Sequence, residues 1–510
     1  MKKLKEIYLG SVDAKNELLN NSTEERNRFV SAFVPPPNLV VESYLSRNRY
    51  YILGLKGTGK TALLRYISIR LEEEMNAYSS FVLFKTDIDE DFKKTFSQAS
   101  RTSIAEANSA DHDGDEFEVV WRWLIYRKLL ADIESNGLSI FQQDLAYQKF
   151  RSIVKSSDSD DDRAGVMKLI PKIRKGNIEI SRDPKLVLDF DWSEEGKAKI
   201  NFNRLVRAAD EAFRELIPGE GRLNIFFDEL ELNYFNSKQY QRDSRLIRDL
   251  IVSVEKVNAI CKLRGLQICI YCAIRSEVQN SVASLGKEIN KPLTDFGSEI
   301  HWHRADIDDV NQPLLYIIDR RLREALPRSA EAQEVTVWQH FFPKLIKNRT
   351  PQEYILHHSW YRPRDVVRLL KSAQDQYPDE TTFSYSVLNA IRKKYSTASW
   401  VEVTEELKTT YKADEIEAIK RLLYGFKKRF SLKEMKERID DISPLYQEVP
   451  ALLKVHRPEK VLADLYRAGV IGNISTDGRY RFSFRGDDEI LLEYSCVVHT
   501  ALHAHLSVSF

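Results

Sequence analysis

Residues 54–61 read Gly54-Leu55-Lys56-Gly57-Thr58-Gly59-Lys60-Thr61, the complete G-x-x-x-x-G-K-[ST] pattern of a phosphate-cradling loop. The chemistry follows from the residue types. Gly54, Gly57 and Gly59 lack a Cβ, so the chain can turn tightly and aim backbone N–H groups at phosphate oxygens. The Lys60 ammonium can reach the β- and γ-phosphates, and the Thr61 hydroxyl can hold Mg²⁺. The flanks suit this use. Tyr50–Leu53 is a short apolar run that reads as a buried strand. Ala62–Leu71 places apolar residues at helical spacing, and a helix N-terminus adds positive partial charge. Gly54 through Ala62 are therefore the expected nucleotide contacts.

Such a loop needs a carboxylate partner. Leu223-Asn-Ile-Phe-Phe-Asp228-Glu229 is a β-rich apolar run ending in two acids, which would emerge at the carboxyl end of a strand, where ligands sit in open parallel sheets. Asp228 is expected to bind Mg²⁺, and Glu229 to orient or deprotonate the attacking water. Phe81–Asp89 reads as another strand without an adjacent acid pair. Leu266–Ser276 reads as a third, preceded by a helical stretch over roughly 237–264; Arg275 at its tip could touch the γ-phosphate, or be a solvated arginine or a helix cap. Cys269 and Cys272 match C-x-x-C, but they lie inside an apolar run with no second pair at zinc spacing, so buried core thiols are expected.

The order of loop, distant acid pair and polar strand tip resembles the additional-strand, catalytic-glutamate division of P-loop ATPases. Within it the chain is similar to the AAA+ and STAND ATPases, which include origin-recognition and replication-initiator relatives, and residues 54–64 resemble bacterial stand-alone ATPases closely. The resemblance spans roughly 40–400 and implies ATP and Mg²⁺ as ligands, with an arginine sensor in a helical lid. Tyr361-Arg362-Pro363-Arg364-Asp365-Val-Val-Arg368-Leu-Leu looks like that element: Arg364 is the chosen sensor, Arg362 the alternative, and Pro363 suits the first turn of a helix. It further implies signalling, DNA transactions or defence against phage. Two departures stand out. The acid pair lies much farther from the loop than in such cores, so something is inserted, including an aromatic-rich helix (Phe117, Val120, Trp121, Leu124, Leu129), runs at 177–180 and 185–192, and solvated acidic loops at 111–115 and 156–162. No clear trans-acting arginine precedes Ile300-His-Trp-His303: Lys287 and Lys291 are there instead, and Arg242, Arg245 and Arg248 read as a solvated helix face.

GTPase, ABC and DEAD-type signatures are missing, which favours adenine: Asn290-Lys-Pro-Leu293 lacks the guanine-reading aspartate. The elements around the core are legible too. Pro35–Pro37 reads as a stiff linker. His301 and His303 would share one face of a strand, and with His357 and His358 they read as structural or exposed. Beyond 401 come an amphipathic helix (Glu415–Phe426), a capping box (Ser431–Glu434), a helix over 457–469, and a hairpin turning at Thr476–Arg479 between strands 470–474 and 480–484. Three helices and a hairpin resemble a winged helix. Six cations against three acids over 457–486 suit phosphate contact through Arg479 and Arg481, or a protein-binding wing.

Composition bounds the rest. In 510 residues, 77 Lys+Arg face 76 Asp+Glu, which excludes a whole-protein basic field. Four cysteines exclude a disulfide scaffold and fit a reducing cytosol. No apolar run is long enough for a membrane helix, and the N-terminus does not read as a secretory signal. The expectation is an α/β chain, a P-loop NTPase parallel sheet of the additional-strand, catalytic-Glu type. It comprises an N-terminal segment (1–45), an ATPase core (46–305, insertion about 95–200), a helical lid (306–400) and a winged-helix domain (401–510). It would be a cytoplasmic, nucleotide-driven ATPase switch, with a homo-oligomer, an effector protein and DNA as candidate partners and no membrane. The alternative is a nucleotide-bound scaffold or a winged-helix regulator with little hydrolysis.

Overall fold

The computed structural model describes the chain apart from residues 1, 19, 89, 92, 95–96, 98–116, 157–168, 170–176, 182–196, 233–236, 284, 286–287, 327–335, 488 and 510. The acidic loop at 111–115, nearly all of that at 156–162, the run 185–192 and Lys287 thus lie outside the described residues. The chain divides into two units. One is Val40–Leu55 with Leu63–Glu299; the other is Met1–Leu39 with Lys56–Ala62 and Ile300–Phe510.

The strands of the first unit are β1 (Tyr51–Gly54), β2 (Tyr78–Leu83), an antiparallel pair β3 (Asn177–Ser181) and β4 (Lys197–Asn201), then β5 (Leu223–Leu230), β6 (Ile268–Arg275) and β7 (Gly297–Glu299). Five of them form one parallel sheet in the order β2-β5-β6-β1-β7. This mixed α/β architecture is consistent with a P-loop NTPase-like fold. The strand that leads into the glycine loop and the one that ends in the acid pair are separated by β6. β5 and β6 are buried on both faces, which is why their sequences run nearly continuously apolar rather than alternating. Phe81, Phe226 and Tyr271 lie on one rung of β2, β5 and β6 and stack with centroids 4.8 Å apart at each step. Each such pair contributes about 0.5–1.5 kcal/mol beyond its buried area.

β2 is shorter than the sequence suggests. The chain leaves the sheet at Leu83, and Phe84–Asp87 form one helical turn whose Asp87 carboxylate accepts the Leu83 N–H at 2.7 Å. An aspartate able to bond its own backbone competes with the ladder. The helix over Ser237–Arg264 ends with Lys262 and Arg264 in its last turn, where cations meet the negative end of the dipole. In the insertion, the aromatic-rich segment is the helix Glu118–Asn136, and Phe117, Val120, Trp121, Leu124 and Leu129 are all buried. It packs with helices Leu145–Lys155 and Phe202–Glu215 through Tyr126, Phe150 and Phe213.

β7 stops at Glu299, so Ile300–His303 is not the strand expected, and His301 and His303 share no strand face. In the second unit, helices Leu315–Arg323, Pro351–His357, Pro363–Gln376 and Arg392–Leu407 precede helices Ala413–Leu423, Leu432–Ile442 and Pro458–Arg467. The N-terminal segment belongs to this unit: the Gln374 side-chain amide donates to the carbonyls of Leu4 and Ile7. The Ser431–Glu434 capping box is formed. Four short strands, β8 (Arg429–Phe430), β9 (Ile471–Ile474), β10 (Tyr480–Arg481) and β11 (Ser495–Val498), make an antiparallel sheet ordered β10-β9-β11-β8. The Thr476–Arg479 turn joins β9 to β10, but β10 ends early and Ser483–Arg485 coil into a 3-10 turn. β11 carries no strong sequence signal and yet is central. Among the described residues no helix is long and apolar enough to cross a membrane.

Candidate functional site

In the second unit, the chain turns at 56–59 and Lys60 opens the helix Lys60–Met75. Gly57 and Gly59 hold φ of +83° and +98°, a region costing other residues about 1–2 kcal/mol. Space is the second constraint: a Cβ on Gly57 would come 3.2 Å from the Arg364 Cβ. The turn is pinned on two sides. The Trp302 indole N–H donates to the Thr58 carbonyl at 2.9 Å, and the Arg364 backbone N–H donates to the Gly57 carbonyl at 3.3 Å. Thr58 and Lys60 are buried. Pro363 occupies the first turn of Pro363–Gln376, with Arg362 as the N-cap residue and Tyr361 at φ +52°. The Tyr361–Arg364 segment therefore lies directly against the glycine turn.

A charged cluster surrounds this contact. Lys56 Nζ pairs with Glu402 at 3.2 Å and with Glu405. Arg364 and Arg368 reach the same Glu402 at 3.4 and 3.6 Å, while Arg362 pairs with Glu406 at 2.5 Å. Burial pushes the Glu402 carboxyl up, but Arg368, Lys56 and Arg364 outweigh it and hold it below its ordinary value. From sequence, Arg368 had a place in the sensor-like element but no role, and Glu402 and Glu405 were not singled out. The available signal was three acids at i, i+3 and i+4 on one face of the helix Arg392–Leu407.

In the first unit, the β5–β6 register breaks between Phe227 and Leu230, and Asp228 and Glu229 sit in that break. Glu229 has φ +58°, and its N–H donates to Asp228 Oδ1 at 2.8 Å. A left-handed non-glycine residue stores about 1–3 kcal/mol, and a bulge re-aims a side chain. Asp228 is buried and Glu229 half-buried. Arg275 ends β6 opposite Gly54 of β1. It is not a solvated arginine: immediately before the helix Ser276–Ala283, it pairs with Glu231, just past β5, and lies 3.7 Å from Glu277. Arg65 stacks over the Phe81 ring at 3.6 Å. Burial lowers its pKa, against the opposing field of Asp228, Glu72 and Glu229.

Several other expectations resolve. Arg242 and Arg248 do not form a solvated face; they pair with the fully buried Asp243 and Asp249 at 2.8 and 2.7 Å. Cys269 and Cys272 are buried free thiols, three residues apart on a strand and so on opposite faces. Burial pushes the Cys269 thiol up to about 12. His358 is buried with Nδ1 2.8 Å from the Tyr354 carbonyl, and burial lowers its pKa to about 3. His301 is exposed.

Residues 312–403 match the model of the FunZ-associated C-terminal helical domain. The matched stretch contains Arg362, Arg364, Arg368 and Glu402 and stops short of Glu405. Among solved structures, the chain is similar to the crystal structure of Cdc6p from Pyrobaculum aerophilum, at 10% identity and a TM-score of 0.32, covering 94% of this chain and 96% of that one. No curated protein matches in sequence.

Proposed function

We propose that the chain is an ATP-binding and ATP-hydrolysing P-loop ATPase of the AAA+/STAND kind, acting as a nucleotide-driven switch. The observation that carries this reading is the glycine turn itself. Gly57 and Gly59 adopt φ values that favour glycine, at the start of a sixteen-residue helix, with Lys60 and Thr61 as its first two residues. A glycine turn at a helix start can aim N–H groups and the positive helix end at one anion, which suits a polyphosphate.

In this reading, the backbone of Gly54–Ala62 holds the phosphates and Lys60 neutralises them. Thr61 and Asp228 would hold Mg²⁺, which, when bound, offsets charge developing on the phosphoryl oxygens. Two protein oxygens suit a cation that keeps most of its water. Glu229 orients the attacking water and takes its proton. Arg275 and Arg364 respond to the terminal phosphate from a strand tip and a lid helix. Lys60→Ala is expected to abolish nucleotide binding in a fluorescent ATP-analogue titration; retained binding would remove the assignment.

The sheet β10-β9-β11-β8 with helices 413–423, 432–442 and 458–467 supports a winged helix over 401–510. Three of the six cations over 457–486 are paired: Arg481 with Asp487 at 3.0 Å, and Lys460 and Arg467 both with Asp464. This favours an effector protein over DNA as the wing's partner. Salt-sensitive DNA binding that is lost in the Arg479→Ala/Arg481→Ala double variant would reverse the preference. A cytoplasmic location, homo-oligomerisation and a role in phage defence complete the reading. The alternative, a scaffold holding nucleotide without turnover, is separated by steady-state ATPase activity.

A further inference from the structure

Arg368 is 7% exposed, and neither of its terminal guanidinium nitrogens makes a hydrogen bond among the described residues. Its nearest anions, Asp365 and Glu402, stand at 3.7 and 3.6 Å, too far for the short charge-assisted bonds a buried arginine usually forms. Buried donors left unsatisfied are costly, so the site calls for a further acceptor. Arg364 lies one helical turn earlier on the same face, and Lys56 joins them from the glycine turn. All three cations converge on one carboxylate, Glu402, at 3.2–3.6 Å. A single carboxylate has two oxygens to divide among them. A polyphosphate has more oxygens and more negative charge.

We propose that Lys56, Arg364 and Arg368 form a polyphosphate-binding cluster beside the glycine turn, kept closed by Glu402, whose carboxylate a phosphate oxygen displaces. The proposal rests on the nucleotide-binding reading and adds to it a built-in competitor. Glu402 and Glu405 neutralise the cluster as folded, so an incoming anion meets negative charge first. Displacing Glu402 removes one of the two acids by which the helix Arg392–Leu407 holds Lys56 of the loop, which couples occupancy of the turn to the hold on that helix. An ion pair that only braced the fold would stabilise without opposing the ligand. Its loss would lower thermal stability and leave affinity unchanged or weaker.

The test is a titration of wild type, Glu402→Gln and Glu405→Gln with a fluorescent, slowly hydrolysed ATP analogue, with competition by inorganic tripolyphosphate. Gln is nearly isosteric with Glu, and Glu405 is half exposed, so at least the second variant should fold. Expected are a dissociation constant about tenfold lower for Glu402→Gln, a smaller gain for Glu405→Gln, and tripolyphosphate competing more strongly in both. Asp375→Asn removes an exposed ion pair elsewhere on the Arg368 helix and should change nothing. Equal or weaker binding by both Gln variants, with wild type binding normally, would overturn the competitor. Failure of wild type and every variant to bind would instead overturn the phosphate-loop reading, and this inference with it.

Discussion

The backbone N–H of Arg364 donates to the carbonyl of Gly57 at 3.3 Å, so the helix Pro363–Gln376 is held to the glycine turn by main chain as well as by charge. Tyr361 at φ +52° and Pro363 in the first turn aim that N–H. The contact is one that side-chain chemistry alone does not disclose.

Gly57→Ala tests it. The alanine would need a left-handed φ, costing about 1–2 kcal/mol. Its methyl would also stand 3.2 Å from the Arg364 Cβ. Expected are at least a tenfold loss of nucleotide affinity and faster amide exchange at 57–59 and 364–366, with unchanged far-UV circular dichroism. Protection at 364–366 equal to wild type would show that the hydrogen bond does not hold the helix.

Glu229 holds strain at the place proposed for chemistry. Glu229→Gln should bind the ATP analogue normally and lose turnover by about 10²-fold or more, the usual contribution of a positioned base. Glu229→Gly should lose turnover equally while melting no lower than wild type, because glycine relieves the +58° φ. A drop in Tm of several degrees for the glycine variant would mean the side chain stabilises the bulge rather than being strained by it.

Asp249 accepts the Phe117 N–H at 2.7 Å and pairs with Arg248 in full burial. Removing one partner of a buried pair leaves a buried charge and costs about 3–5 kcal/mol. Asp249→Ala should therefore lower the denaturation midpoint severely, and Asp249→Asn less, since its amide oxygen can still accept the N–H. Equal effects for the two variants would show that the Phe117 hydrogen bond adds nothing, and an Asp249→Asn variant as stable as wild type would falsify the charge argument.

Acid should destabilise the second unit near pH 6. Burial lowers the pKa of His357 and His503 to about 4 and of His358 to about 3. Their unfolded value is near 6.5. Above pH 6.5 they are neutral in both states and the contribution is flat. Below it the unfolded chain binds protons that the fold refuses, so stability falls until about pH 4. The slope is up to about 1.4 kcal/mol per pH unit for each such histidine. Thermal melts from pH 7.5 to 5 should show Tm falling below 6.5, less steeply in His358→Gln. A flat profile would mean these rings protonate in place.

Local structure that rests on adjacent residues was legible from the chain alone. Gly54–Thr61 specify a turn and a helix start because glycine spacing and the following apolar period act locally. Leu223–Glu229 likewise announce a buried strand with acids at its end. The capping box at Ser431 and the cysteines buried in β6 follow the same logic. Tertiary structure decided what depends on distant partners. It inserted β6 between β1 and β5, drew β11 into the centre of a four-stranded sheet, and bent Glu229 into the left-handed region where the register with β6 breaks. It also brought Glu402 to Lys56, Arg364 and Arg368. The reason is physical: which face a helix turns inward, and which charge it meets there, is settled by packing between segments hundreds of residues apart, where sequence spacing carries no information.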